Sequence, residues 1–276
     1  MRHKIKALLT VFVLILSLPE AYAEEWTIRS GFEAFEVGEK ALGSSGFWGG
    51  AGQTEVVEEP NLKGKAAKIW INKNQTGYGR WGGEWNFKEK LYKGDTVWFS
   101  AHIYVPEDFD PHAHKGGKRL KFLRIATRGP DHENHGFNDL YVNMKESFAP
   151  FRWIYEGQQK WSDVGVPKDG IQKERWENYQ MSITFDSVPK IEGGLAEVHI
   201  WKDGKQIAHI TDRKTLKTPD DYAHRALLFT YWNGGAIQKQ HMYVDEIVIT
   251  NTKPSWADIN NNPLVAYYTD LCRMPE

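Results

Sequence analysis

Between Asp95 and Arg128 the chain sets a pattern that most of its length repeats. From Val97 to Val105 apolar and polar side chains alternate, which predicts a strand. Val97, Phe99, Ala101, Ile103 and Val105 make one face, suited only to a core. Trp98, Ser100, His102 and Tyr104 make the other, a surface of rings and hydrogen-bonding groups. The next strand, Lys118 to Arg128, puts Phe122, Arg124, Ala126 and Arg128 on one face, and Lys121, Leu123, Ile125 and Thr127 on the other. A buried guanidinium must be paired, so Arg124 is either an ion-pair partner within the fold or a receptor for an anion on an open sheet face.

The same division recurs downstream. In Asp139 to Lys145, Leu140, Val142 and Met144 oppose Tyr141, Asn143 and Lys145. In Arg152 to Glu156, Trp153 and Tyr155 oppose Arg152, Ile154 and Glu156. In Trp176 to Phe185, Tyr179, Met181, Ile183 and Phe185 oppose Asn178, Gln180, Ser182 and Thr184. Asp203-Gly204 sits between two alternating runs as a two-residue hairpin turn requires, with Val198 and Ile200 toward the core and His199 and Trp201 away from it. RALLFTYWNGG and HMYVDEIVIT supply two closing strands; an opening strand around Thr27 to Phe35 and segments Gln53 to Glu58 and Lys65 to Ile71 supply the first.

About a dozen such strands, with turn residues between them and no long helical pattern, predict an all-β protein. Its architecture is an antiparallel β-sandwich, two sheets packed face to face around the shared apolar side. One polar face then becomes a groove that collects Trp98, His102, Tyr104, Arg124, Tyr141, Asn143, Gln180, His199 and Trp201. The Gly-rich stretch GYGRWGGEW reads either as a binding loop presenting Arg80 at the rim or as a plain connection with Arg80 paired to Glu84.

Composition then removes several classes of function. Basic residues at Arg2, Lys4 and Lys6, an apolar run from Ala7 to Leu18 and the small-residue pattern Ala21-Tyr22-Ala23 read as a secretory signal peptide over residues 1–23. That leaves residues 24–276 as one expected domain in a secreted or periplasmic protein, with no membrane attachment once the signal is gone. The chain carries a formal charge of −1, and losing Arg2, Lys4, Lys6 and Glu20 makes it slightly more negative, so there is no global field for nucleic acid. Cys272 is the single cysteine, so stability must come from the core, and a monomer is expected. The 12 Trp, 12 Tyr and 13 Phe exceed what a core needs, which leaves rings for display.

His112 and His114 lack a third ligand at a recognisable spacing, so no metal site is expected there. Asp245 and Glu246 are adjacent and point to opposite faces, which argues against a glycosidase pair. Glu33 reads as a solvated carboxylate, with a calcium-ligand role near the final strand as the other reading.

Exposed rings stack on the apolar faces of sugars, and Asn, Gln, His and Ser bind hydroxyls, so the displayed residues suit a carbohydrate. Arg and Lys beside them select an acidic one. Residues FEAFE, KGGKRLKFLRI followed by DLYVN, and YWNGG with YVDEIVIT together resemble secreted jelly-roll polysaccharide lyases of the alginate and glucuronan type, in the concanavalin A-like superfamily. Gly116-Gly117-Lys118 matches that family's Gly-Gly-Lys stretch, whereas Arg119-Leu120-Lys121 replaces its Leu-Pro-Gly, leaving Lys118 and Lys121 as alternatives. The Tyr-x-Tyr pair is half present, as Tyr141 with Asn143.

The resemblance implies β-elimination on a uronic-acid-containing polysaccharide, which needs a carboxylate neutraliser, a base at C5 and an acid for the leaving oxygen. It assigns Arg124, helped by Asn143 or Gln180, as neutraliser, His102 as base, and Tyr141 as base or acid with Lys118 or Lys121 nearby. No cofactor is required; a structural calcium is left open. A lectin-like binding protein without chemistry uses the same groove. A glycoside hydrolase fits less well, since no tight Glu-x-Asp-x-Glu cluster occurs.

Overall fold

A computed structural model describes residues 24–41, 53–61, 64–77, 80–111, 120–143 and 149–254. The expected signal peptide, His112, His114, Lys118, Met144, Lys145 and Cys272 lie outside the described residues. Strands are numbered in chain order. β1 (Thr27–Ser30), β2 (Thr54–Glu58), β3 (Lys65–Ile71), β5 (Thr96–Tyr104), β10 (Trp176–Thr184), β11 (Glu197–Lys202), β12 (Lys205–Ile210) and β14 (Gln240–Thr250) form one sheet. Its order is β12-β11-β10-β5-β14-β3-β2, with β1 also paired to β14. β4 (Gly83–Leu91), β6 (Leu120–Arg128), β7 (Asn134–Val142), β8 (Phe151–Tyr155), β9 (Lys160–Val164) and β13 (Tyr222–Trp232) form the second, in the order β4-β13-β6-β7-β8-β9.

All these pairings are antiparallel, and the expected β-sandwich is the architecture observed. Among the described residues, helical structure is limited to three-residue turns at Pro167–Asp169 and Lys190–Glu192, and no helix is long and apolar enough to cross a membrane.

The alternation reads out as burial. Val97, Phe99, Ala101 and Ile103 from β5 and Tyr179, Met181 and Ile183 from β10 face Phe122, Leu140, Phe151 and Trp153 of the other sheet. Phe122 meets Tyr179 edge to face at 4.8 Å, tying the two sheets together at mid-sandwich. The hairpin at Asp203-Gly204 forms as expected, both residues at positive φ (49° and 75°), the backbone a right-twisted two-residue turn demands.

Three of the register shifts between strands bear on the clusters described below. On β6 the step from Lys121 to Arg124 lies opposite the shorter step from Tyr141 to Asp139, so one extra residue is inserted. A second bulge on β13 lies between Leu228 and Tyr231, where Phe229 has φ 49°. These correct the strict alternation expected for β6: Phe122 and Leu123 are both in the core, and Lys121 and Arg124 share the outer face. The third, on β14 between Asp245 and Val248, has Glu246 at φ 45°.

Candidate active site on the six-stranded sheet

The single groove expected from the sequence is two surfaces. Trp98, His102, Tyr104, Gln180, His199 and Trp201 lie on the outer face of the eight-stranded sheet, and Lys121, Arg124 and Tyr141 on the outer face of the six-stranded one. Local alternation assigns a face but not a sheet, and the two polar faces lie on opposite sides of the sandwich.

The outer face of the six-stranded sheet is organised in rows. Cross-strand partners share a face, and the register aligns Tyr231, Lys121, Tyr141, Arg152 and Asp163 across β13, β6, β7, β8 and β9. The neighbouring row aligns Glu84, Leu227, Arg124, Asp139, Ile154 and Trp161. Where the two rows pass over β6 and β7 sits an ionic cluster. Arg124 Nε donates to Asp139 Oδ1 at 2.6 Å, and Arg124 Nη2 donates to Oδ2 at 3.3 Å. Lys121 Nζ lies 3.1 Å from Asp139 Oδ2 and 2.6 Å from Glu156 Oε1. Tyr141 Oη donates to the same Glu156 oxygen at 3.4 Å.

Arg124, Asp139, Lys121 and Tyr141 are buried, while the Glu156 side chain keeps 27% of its surface exposed. Glu156 therefore opens this otherwise closed floor to solvent. Half-buried Phe137, Trp161, Arg152 and Tyr231 stand around it. The Arg124 guanidinium lies 3.9 Å from the Phe137 ring centre, and the Tyr141 and Trp161 rings meet edge to face at 5.1 Å.

Burial would push the Asp139 carboxyl up, but Arg124 and Lys121 overcome it and hold it below the usual range. Burial, and then the Asp139 charge, push Glu156 up. Burial and both carboxylates push the Tyr141 phenol up, so it keeps its proton. The floor can thus donate a proton from Tyr141 and accept one at Glu156.

The other expected residues have structural partners. His102 is buried on β5 between Asn178 and Asp245 of the flanking strands, and burial lowers its pKa to about 3. Gln180 donates to Asn178, which donates to Ser100 at 3.2 Å. Tyr104 Oη donates to Glu174 and accepts from Asn61, both at 3.1 Å. Trp98 stacks on the buried Trp201 at 5.6 Å, and His199 stacks on Trp201 at 5.4 Å. Asn143 Nδ2 donates to Ala149 O at 2.7 Å.

Arg80 is exposed, and Glu84 takes Arg225 at 2.8 Å rather than Arg80. The glycines around Arg80 serve packing. A Cβ at Gly77 would stand 2.2 Å from the Trp81 indole, and one at Gly82 would stand 2.1 Å from Leu228 O.

Asp139, Glu156, Phe137, Trp161 and Tyr231 were not singled out from the sequence. Phe137 and Asp139 precede Tyr141 at the two-residue period of β7, but the polar run before Leu140 reads as a loop, which hid them.

Two clusters of carboxylates or imidazoles stand out among the described residues, and only in the second do three ligand atoms lie within 4.8 Å of one another. The β14 bulge brings Asp245 and Glu246 to the same neighbour, since a Cβ at Gly31 would lie 3.9 and 3.8 Å from their oxygens; this corrects the opposite-face expectation. Burial and the charges of Glu246, Glu59 and Glu33 push Asp245 up to about 9, and its buried Oδ1 has no hydrogen-bond partner among the described residues. The second cluster is Glu197 with His199 and His209.

No protein-family profile and no curated protein sequence matches this chain. Solved structures do. The alginate lyase Aly36B, solved with an alginate trisaccharide, superposes with a TM-score of 0.59 over 82% of this chain and 98% of its own, at 11% identity. An alginate lyase from Aplysia kurodai gives 0.54 over 83% and 100%, also at 11% identity. An endo-β-1,4-glucuronan lyase from Trichoderma reesei gives 0.51 over 85% and 97%, at 14%. The chain shares the antiparallel β-sandwich fold of these proteins.

Proposed function

We propose that this chain is a secreted or periplasmic polysaccharide lyase that cleaves a uronic-acid-containing polymer by β-elimination on the outer face of the six-stranded sheet. The observation that carries the reading is the shared Glu156 oxygen, which holds the Lys121 ammonium and the Tyr141 phenol together among half-buried rings. Trp161, Tyr231 and Phe137 give sugar rings apolar surface to rest on.

Lys121 and Arg152 receive the uronate carboxylate, which lowers the cost of carbanion character at C5. Glu156, made more basic by burial and by Asp139, takes the C5 proton. As the C4–C5 double bond forms and the C4–O bond breaks, Tyr141 gives its proton to the leaving oxygen. Glu156 then returns the proton to Tyr141. Arg124, held by Asp139, positions this pair rather than touching substrate.

A calcium ion held by Asp245 and Glu246 to brace β14 against the N-terminal segment would require Glu33 or Glu59 to move toward them. That role is structural, and the chemistry requires no cofactor. The protein acts as a monomer.

A binding-only protein is the second reading, favoured by the fact that Lys121 and Arg124 already have carboxylate partners. Incubating the protein with a panel of uronate polymers and following the ultraviolet absorbance of the unsaturated product separates the two. Growing absorbance supports elimination. A flat trace with every polymer, alongside retarded migration in a gel containing one of them, replaces it with glycan binding.

A further inference from the structure

On the outer face of the eight-stranded sheet, at the edge formed by β12, three ligand-type side chains converge. His199 on β11 and His209 on β12 are direct cross-strand partners, and Glu197 lies two residues before His199 on the same face. Glu197 Oε2 is 3.1 Å from His209 Nε2 and 3.4 Å from His199 Nε2. One potential ligand atom from each of the three lies within 4.8 Å of the others.

A tetrahedral zinc site with bonds of about 2.1 Å needs ligand atoms about 3.4 Å apart, so the two distances to Glu197 already stand at that spacing. The rings are also held. His199 lies between His209, with ring centres 4.1 Å apart, and Trp201, at 5.4 Å, in a nearly parallel stack. Trp201 is itself stacked on Trp98. A ligand set whose rotamers are fixed by packing loses little freedom when a metal arrives.

We propose that Glu197, His199 and His209 form a binding site for a zinc-type divalent ion, which staples edge strand β12 to β11. Two imidazoles and one carboxylate select a borderline first-row ion such as zinc over calcium or magnesium, which prefer all-oxygen sets. Lys190 is the competitor. Its Nζ sits 2.5 Å from Glu197 Oε2 and must swing away as the ion enters. His209 keeps 41% of its side chain exposed, so the ion has an entry path and a solvent-facing fourth position.

The test is titration of the untagged, metal-free full chain with Zn2+ against a competing chelator, with Co2+ as the spectroscopic probe. The expected result is one equivalent of Co2+ giving visible absorption of a low-coordinate site, displaced by Zn2+ and not by Ca2+. His209→Gln, at an exposed position, should weaken binding at least tenfold while leaving the metal-free unfolding curve unchanged. Lys190→Met should tighten binding severalfold, an effect that a merely structural role for these residues would not produce. The melting temperature of the wild type should rise with Zn2+ concentration, and that of His209→Gln should not. Absence of stoichiometric binding, or binding unchanged in His209→Gln, would overturn the site and leave His199 and His209 as a stacked pair that only packs.

Discussion

Lys121 and Arg124 stand three residues apart on one strand, yet their cationic groups reach the two oxygens of the same Asp139 carboxylate, at 3.1 and 2.6 Å. An odd spacing on a regular strand would send them to opposite sides of the sheet. The β6 bulge removes that half-turn, so an arginine that alternation places beside Phe122 stands beside a lysine instead. The floor of the proposed site exists because one residue is inserted there.

Asp139→Asn should be the most damaging polar substitution on this face. It leaves a buried guanidinium and a buried ammonium with one partly exposed carboxylate between them. Breaking a buried pair in this way costs about 3–5 kcal/mol. Denaturant unfolding of the purified variant measures it, and a loss below 1 kcal/mol, on the order of a surface pair, would mean that Asp139 does not hold the cluster.

Tyr141→Phe should retain the fold and lose about 10²–10⁴-fold in elimination rate, the usual range for removing a positioned acid. His102→Asn, on the other sheet, should leave the rate within a fewfold of wild type. The pair of rates decides which face works, and the reverse ranking would move the site to the eight-stranded sheet.

The acidic cluster on β14 predicts a pH dependence of known sign. Asp245 keeps its proton up to about pH 9 in the folded chain, against an ordinary value of 3.8. Between those values the folded state holds a proton that the unfolded state has released. In the presence of a chelator, stability should therefore fall as pH rises from about 4 toward 9, by at most about 1.4 kcal/mol per pH unit. Asp245→Asn should flatten this slope, and added Ca2+ should restore wild-type stability at high pH. Unfolding curves at several pH values, with and without Ca2+, check both statements.

Gly82→Ala should destabilise by more than about 1 kcal/mol, since Gly82 has φ 73° and its missing Cβ would strike Leu228 O. A lower melting temperature with unchanged specific activity below the transition is the expected result, because the contact is with the β13 backbone at Leu228 and Phe229 rather than with a residue of the site.

The fold was legible because period-two alternation is a local signal. It gave β5, β10 and the β11–β12 hairpin with their core faces, and every core residue predicted on those three elements is buried. The site was legible only in part. Tyr141, Lys121 and Arg124 stand out as polar residues within apolar strands, but a bulge leaves no mark in composition, so their common orientation did not. Asp139 and Glu156 look ordinary until long-range pairing sets β6 and β8 on either side of β7. Sheet membership is likewise a matter of distant pairing, which is how His102 and Gln180 were grouped with a face they do not share.

The neighbours of β1 carry a consequence for how the chain acquires its shape. β1 pairs with β14, from Thr27 opposite Thr250 to Ser30 opposite Ile247, and β5 lies between β10 and β14. Every strand flanking β5 is made after it, and the first strand waits for the last. A ribosome emitting this chain therefore releases β1 through β9 before the middle of the eight-stranded sheet has any partner. Closure of that sheet is a late event dominated by contacts of high sequence separation, which makes folding slow and ties it to completion of residues 240–250. A chain truncated before β14 should stay open and protease-sensitive, however intact its hairpins.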